Sequence, residues 1–466
     1  MSEFIGVIND ALYGYILIAL LVGGGIYFSI RTKFAQLRLI KQQFKAVTEK
    51  PGKKGGVSSF QALMVSTASR VGTGNIVGVG LALCTGGFGS VFWMWVIAVL
   101  GGATALIEST LSQIYKRKGL NGCYGGPSYY IEGAFKNRVL AVIFSVLLIL
   151  TYGVGFNMLA SYNLQKSFSG FDFYQTGVTS WIIGGVVAVL VAYCLLGGGK
   201  RIINVTGFLV PIMGVLYILV ALVVVAINIT SLPAVLYRIF SEAFNFNAIF
   251  GGFAGSCVMM GIKRGLFSNE AGVGSAPNAS ASAEVSHPVK QGLVQVLSVF
   301  IDTLLVCSAT AFMCLLSGVE PDSSLEGAVY VQTCLGNVFG WFGPVFMAVA
   351  MALFAFTTLI GNLYYVDKGF IHIFKKEPNK WFKFGYYILF SLLIFVGAGL
   401  NSKLLWDVAD VLMGAMAIIN IPVIFLLGKY AYRAIKDYVR KEKEGKPLDF
   451  LAKDINLPHK VDYWQE

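Results

Sequence analysis

Eleven long apolar runs set the limits on what this chain can fold into. They are Tyr13–Ile30, Phe60–Thr85, Ser90–Tyr115, Val139–Asn163, Gly177–Leu196, Ile203–Ile229, Ala248–Gly265, Gly292–Gly318, Phe342–Phe370, Phe384–Leu400 and Leu405–Gly428. Each holds roughly the 20 residues that an α-helix needs to cross a hydrocarbon layer. Strands of a membrane barrel would be about ten residues long and would alternate in polarity. These runs are continuous, so the sequence predicts an all-α polytopic membrane protein with about eleven spans. Composition agrees: 13% of the 466 residues are charged, against about 25% in a soluble domain. That excludes a soluble enzyme, a disordered chain and a disulfide scaffold. The flank before the first run, Ser2-Glu3, is acidic, so this run reads as a span and not as a cleaved leader.

Basic residues orient the spans. With the N-terminus outside and the C-terminus in the cytoplasm, 32 of the 36 Lys and Arg fall in the inner connections 31–57, 116–138, 197–202, 263–291 and 368–383 and in the tail from 429. Lys166, Arg238 and Lys403 lie outside, and Arg70 is inside a span. The net charge of +12 therefore orients the chain in a plasma (inner) membrane and is no nucleic-acid footprint. The connector Arg31–Lys54 is basic, with Phe34, Leu37, Leu39, Ile40 and Phe44 interspersed. It reads equally as an interfacial amphipathic helix or as a solvated linker. The tail Lys429–Lys446 mixes both charges and reads as a helix running out of the membrane.

Two runs carry clusters of glycine among polar residues. The first is Ser66–Gly78, which contains Ser69, Gly72, Thr73, Gly74 and Asn75; the second is Phe250–Ser256. Both are expected to interrupt a helix at membrane depth, which is tolerated only where backbone is buried in protein or lines a cavity. Such breaks expose N–H groups that suit a carboxylate and C=O groups that suit a cation. Setting aside the first span leaves ten, and the clusters then fall in core helices one and six. That is the pattern of a five-plus-five inverted-repeat transporter. The expected divisions are 1–57 (extra helix and connector), 58–230 and 231–428 (the two five-helix repeats) and 429–466 (cytoplasmic tail). No GxxxxGK[ST] loop is present, so ATP does not drive the chain. Seven Cys without a CxxC pair and three His supply neither a metal cluster nor a catalytic constellation, so an enzyme is not expected and no cofactor is called for. A channel would want a continuous polar pore or rings of charge, which these spans lack.

Three stretches carry a family resemblance: Arg70-Val71-Gly72-Thr73-Gly74-Asn75-Ile76, Gly125-Gly126-Pro127-Ser128-Tyr129-Tyr130-Ile131, and Arg264 through Pro277 (RGLFSNEAGVGSAP). The chain resembles the alanine or glycine:cation symporter family, of the amino acid–polyamine–organocation superfamily. The resemblance implies symport of a small neutral amino acid with sodium by alternating access; a proton-coupled carrier of the same fold is the alternative. It implies that N–H groups at Gly72, Thr73 and Gly74 hold the substrate carboxylate, that backbone from Phe253 through Gly255 to Ser256 faces the amino group, and that Asn75 orients the break or ligates a cation. It also implies a sodium site of five oxygens: the carbonyls of Ala68, Val71 and Phe354 and the hydroxyls of Thr357 and Thr358. Thr hydroxyls commonly bond back to their own helix instead. Asn362 lies one turn after Thr358, on the same face, where many alanine-type members carry Trp. A smaller, polar residue there departs from the alanine and glycine pattern and makes a roomier, more polar pocket that would take glutamine, whose side-chain amide Asn362 would meet. Arg70 is expected to pair with one of Glu108, Asp302, Asp367, Asp407 or Asp410. Glu270 is expected to hold the inner loop that follows core helix six.

Overall fold

The computed structural model describes residues 2–51, 56–119, 122–245, 256–325, 327–458 and 460–465. The first span is continuous through a π-helical turn, Leu12–Ile16, into α1 (Leu17–Arg31). The connector contains α2 (Ile40–Val47), which buries Gln43 and Ala46 and leaves Ile40 and Phe44 exposed.

The second run is broken. Ser58 and Gln61 form a reciprocal capping box at 3.0 and 3.1 Å that starts α3 (Ser59–Arg70). Val71 leaves helical geometry at ψ 86°. A π-helical turn, Gly74–Gly78, then leads into α4 (Val79–Gly86). Next come α5 (Gly89–Ile114), the hairpin β1 (Arg117–Gly119) and β2 (Gly122–Tyr124), and the short α6 (Pro127–Phe135). The following span joins α7 (Arg138–Ile149) and α8 (Phe156–Lys166) through a π-helical segment, Leu150–Gly155. Then come α9 (Thr179–Leu195), α10 (Gly198–Ile227) and α11 (Leu232–Ala243).

The seventh run departs from expectation. Residues 246–255, including Phe253 and Gly255, lie outside the described residues, so the interruption expected at Phe250–Ser256 is described only at its last residue. Ser256 is a helix cap: its Oγ accepts from Met259 N at 3.3 Å and starts α12 (Cys257–Asn269). The described break comes later. Glu270 ends α12 in the left-handed region at φ +52°. Gly274, at φ +91°, makes a turn open to glycine, and α13 (Ala276–Ser280) follows with Pro277 in its first turn. Residues 270–283 are all buried. What reads as a polar cytoplasmic loop is the interior of a broken helix. Lys263 and Arg264 accordingly leave the inner connection and sit in α12, 8% and 4% exposed.

The remainder is α14 (Pro288–Val299), a π-helical segment Phe300–Cys307, α15 (Ser308–Leu315), α16 (Gly327–Phe339), α17 (Phe342–Phe374), α18 (Lys380–Gly397) and α19 (Ser402–Lys443). Among the described residues, eight helices are long and apolar enough to cross a membrane. The other three expected spans are the 17-residue α9 and the two broken ones. Apolar side chains on α9 and α10 such as Ile182, Val189, Phe208 and Leu222 face outward and exposed, as a lipid-facing ring does. The broken α3 and α12 lie inside, against α5, α14 and α17.

Candidate functional site

The two interruptions meet. A cavity of about 20 Å3 is lined, among the described residues, by Ser69, Arg70, Gly72, Thr73 and Gly74 from the first break, by Phe267 and Glu270 from the second, by Phe156, Leu159 and Ala160 of α8, and by Thr358 of α17. That volume is room for about one water, so an amino acid enters only when these walls separate.

Asn75 organises the first break. Its Oδ1 accepts from Gly72 N at 2.8 Å, and its Nδ2 donates to Asp302 Oδ1 at 2.7 Å and Ser268 Oγ at 2.8 Å. Asp302 also accepts from the hydroxyls of Ser268 at 2.7 Å and Thr303 at 2.8 Å. Asn75 is thus the residue that shapes the break. The same bond removes Gly72 N–H from the donors expected to meet a carboxylate, leaving those at Thr73 and Gly74, where the first N–H groups of a helical turn have no intrahelical partner. The Thr73 hydroxyl accepts from Asn163 Nδ2 at 3.2 Å.

Of the five expected cation ligands, the structure brings two together, the Thr358 hydroxyl and the Ala68 carbonyl. The Thr358 hydroxyl lies 3.2 Å from Ala68 O. A Cβ on Gly72 would stand 2.0 Å from the Thr358 hydroxyl oxygen, so only glycine lets the backbone approach α17 there. Thr357 and Phe354 are not brought in. The Thr357 hydroxyl bonds back to Leu353 O at 2.9 Å and Phe354 O at 3.1 Å, and faces Met213 Sδ at 3.4 Å. Asn362 is fully buried but is not among the cavity walls. Its Oδ1 accepts from the Ser69 hydroxyl at 2.6 Å, and its Nδ2 donates to Asn157 Oδ1 at 2.9 Å. The amide it meets belongs to the protein.

Arg70 pairs with none of its expected partners. Its Nη1 donates to Gln295 Oε1 at 2.9 Å, and its Nε and Nη2 have no hydrogen-bond partner among the described residues. The five carboxylates are spoken for elsewhere: Glu108 by Asn420, Asp302 as above, Asp367 by Tyr386 and Tyr387, Asp407 by Asn9, and Asp410 by Lys263 and Arg264.

The sequence assigns no role to Phe267, Ser268 or Phe156, and it gives Glu270 only the role of holding the loop after core helix six. Glu270 is 1% exposed; its Oε2 accepts from Ser275 Oγ at 2.5 Å and its Oε1 faces Ser69 Oγ at 3.5 Å. It therefore ties the second break to the first. A usable signal was present. Val71-Gly72-Thr73-Gly74-Asn75 and Ala271-Gly272-Val273-Gly274-Ser275 share a Gly-x-Gly followed by a polar side chain. Phe267 forms one wall of the cavity, with its ring centre 4.7 Å from that of Phe156 and 4.8 Å from that of Trp406.

Comparisons with known proteins give the same assignment. Over 465 residues the chain is 42% identical to the amino-acid carrier protein AlsT of Bacillus subtilis (strain 168), covering 100% of this chain and 98% of that one. It is 41% identical over 468 residues to the probable sodium/glutamine symporter GlnT of the same organism, covering 100% and 96%. The crystal structure of MhsT in complex with L-phenylalanine superimposes with a TM-score of 0.57 over 84% of this chain and 93% of that one, at 16% identity, so the likeness is one of fold. Residues 1–452 match one family of symporters, which are carriers and not enzymes: the protein belongs to the sodium:alanine symporter family.

Proposed function

We propose that this chain imports a small neutral amino acid, alanine or glycine, together with sodium by alternating access. The observation that carries the reading is the meeting of the two breaks at one enclosed cavity that offers N–H donors on one side and oxygen donors on the other. Sodium binds at the carbonyls of Ala68 and Val71 and the hydroxyl of Thr358. The substrate carboxylate docks at Thr73 and Gly74, where the helical dipole favours an anion. The segments 58–230 and 231–428 act as the two repeats, with the N-terminus outside and the C-terminal tail in the cytoplasm of a cell whose plasma membrane holds the protein. Because the cavity is far smaller than an amino acid, binding requires Phe267, Phe156 and Thr358 to separate, and closure follows occupancy. Each ligand must bind better in the presence of the other for transport to be coupled.

Uptake into proteoliposomes tests this. An inward sodium gradient should drive accumulation of labelled alanine or glycine above equilibrium, and choline in place of sodium at constant pH should abolish it. Competition by glutamine then decides whether the pocket admits an amide; Asn362 must first release Ser69 and Asn157 to meet one. Uptake indifferent to sodium overturns the proposal. Proton coupling is favoured by one observation, the buried Glu270 carboxylate in the cavity wall. If an inward pH gradient without sodium drives accumulation, and Glu270→Gln abolishes it, the proton reading replaces the sodium one.

A further inference from the structure

The face assigned to the cytoplasm holds a second concavity, remote from the substrate cavity. It has a volume of about 420 Å3 and lies between the hairpin β1–β2, the start of α7 and the end of α17. Five cations line it: Arg117, Lys118, Arg138, Lys375 and Lys376; the one carboxylate among the lining residues is Glu377. Arg138 is fixed in the wall. Its Nη1 donates to Glu132 at 2.7 Å and its Nη2 to the carbonyls of His372 at 3.1 Å and Ile373 at 2.7 Å. Burial alone would raise the Glu132 carboxyl, but Arg138 and Arg117 outweigh it and hold it below the usual carboxylate range, so Glu132 stays charged and is consumed by this wall. Glu377 is likewise held, by the Tyr124 hydroxyl at 2.6 Å and by Lys383 at 3.4 Å.

The remaining cations are under-compensated. Arg117 and Lys375 reach Glu132 only at 3.8 Å, and Lys118 and Lys376 make no side-chain ion pair among the described residues. An orienting excess of Lys and Arg need only lie on the correct side of the membrane. It does not need to converge on a groove. The groove's surroundings fix its depth. Phe135 precedes it at the end of α6, Phe374 adjoins Lys375, and Trp381 follows on α18; they are 39%, 44% and 83% exposed. Exposed aromatics beside basic side chains mark the level where the chain leaves the apolar layer.

We propose that this groove binds the headgroup of an anionic phospholipid: the phosphate sits among Arg117, Lys118, Lys375 and Lys376, and the acyl chains lie along Phe135 and Phe374. Guanidinium and ammonium groups at this level are the natural partners of a lipid phosphate. The exposed aromatic rim selects a lipid over a free anion, which would gain nothing from it. The proposal stands apart from the transport reading, because no residue of the substrate cavity takes part.

The test uses the full-length protein purified in a neutral detergent and titrated with phosphatidylglycerol, phosphatidylcholine or inorganic phosphate, with Tm as readout. Phosphatidylglycerol should raise Tm saturably, and the other two should not. Each lysine removed should raise the half-saturating concentration of phosphatidylglycerol about fivefold. Lys376→Gln breaks no ion pair and tests this with the fold undisturbed. The triple variant Lys118→Gln, Lys375→Gln, Lys376→Gln should lose roughly a hundredfold. A control with equal charge loss on the exposed tail-side lysines, Lys436→Gln, Lys443→Gln, Lys446→Gln, should respond like the parent. Three results overturn the proposal: an unchanged half-saturation in Lys376→Gln, an equal loss in the control, or equal stabilisation by inorganic phosphate, which would assign the groove to a free anion.

Discussion

Thr357 and Thr358 are neighbours on α17 with different partners, and the difference decides which one can serve a cation. Thr357 spends its hydroxyl on Leu353 O and Phe354 O of its own helix, as threonine in a helix interior often does. Thr358 turns to the C-terminal end of α3, 3.2 Å from Ala68 O. Thr358→Ala should therefore raise the half-saturating sodium concentration for uptake about tenfold, the scale of one lost ligand bond, whereas Thr357→Ala should leave it near the parent value. Sodium titrations of uptake in proteoliposomes check this, and equal effects in the two variants refute the assignment. From sequence the two threonines are equivalent, because a pair at i and i+1 gives no sign of which one faces the partner helix. The first break, in contrast, was legible: Gly72, Gly74 and Asn75 cluster in an otherwise apolar run, and each has a contact that explains it. The spacing puts Asn362 on the face of Thr358, but its partners here, Ser69 and Asn157, are not legible, since they lie 293 and 205 residues away along the chain.

The helices were legible because lipid imposes one constraint, about 20 apolar residues, that shows directly in the residue order. The second break was not, because Ser268, Asn269, Glu270 and Ser275 are buried polar residues, and burial is a property of packing rather than of local sequence. The same blind spot placed Lys263 and Arg264 in a cytoplasmic loop. They lie in α12, where Asp410 Oδ2 of α19 takes Lys263 Nζ at 3.1 Å and Arg264 Nη2 at 2.8 Å. The Arg264 guanidinium rests 4.5 Å above the Trp406 ring. This ties α12 to α19 beside the cavity wall that Phe267 forms. Removing the shared carboxylate leaves two buried cations uncompensated, and breaking a buried pair from one side costs about 3–5 kcal/mol. Asp410→Leu should lower Tm accordingly. The triple variant Lys263→Leu, Arg264→Leu, Asp410→Leu should recover most of the loss, because hydrophobic replacement of a whole buried cluster is often near neutral. Thermal unfolding of both variants checks this, and a triple variant no more stable than Asp410→Leu would show that the ion cluster is not what joins these helices.

Across the whole molecule, α19 runs on as one helix to Lys443, in keeping with the helix expected over Lys429–Lys446, and the residues after it return to the bundle. After Lys443 the chain forms a 3-10 turn, Ala452–Ile455, and Phe450, Ile455, Val461 and Trp464 are buried. Those apolar residues were the available signal, since a solvated tail has no use for them. Trp464 Nε1 donates to Gln113 O at 2.7 Å. Gln113 Nε2 in turn donates to Ser280 O at 2.5 Å and Ala283 O at 3.0 Å. Lys116 Nζ donates to Ala283 O at 3.1 Å and lies 3.8 Å from the centre of the Tyr463 ring. The tail therefore braces the stretch 280–283, which follows the second break. Any movement of α13 must loosen these bonds, so the tail stabilises the arrangement seen here against one in which α13 has moved. Trp464→Ala removes the buried ring, a loss of about 3–5 kcal/mol where packing cannot relax. A tail partly exposed to water relaxes more, so the expected effect is local: amide hydrogen exchange should accelerate at least tenfold in 276–285 and in 450–465 while α5 and α17 keep their protection. Sodium-driven uptake should fall as the inner side leaks substrate back. Unchanged exchange in 276–285 alongside faster exchange in the tail would mean that the tail covers this segment without holding it.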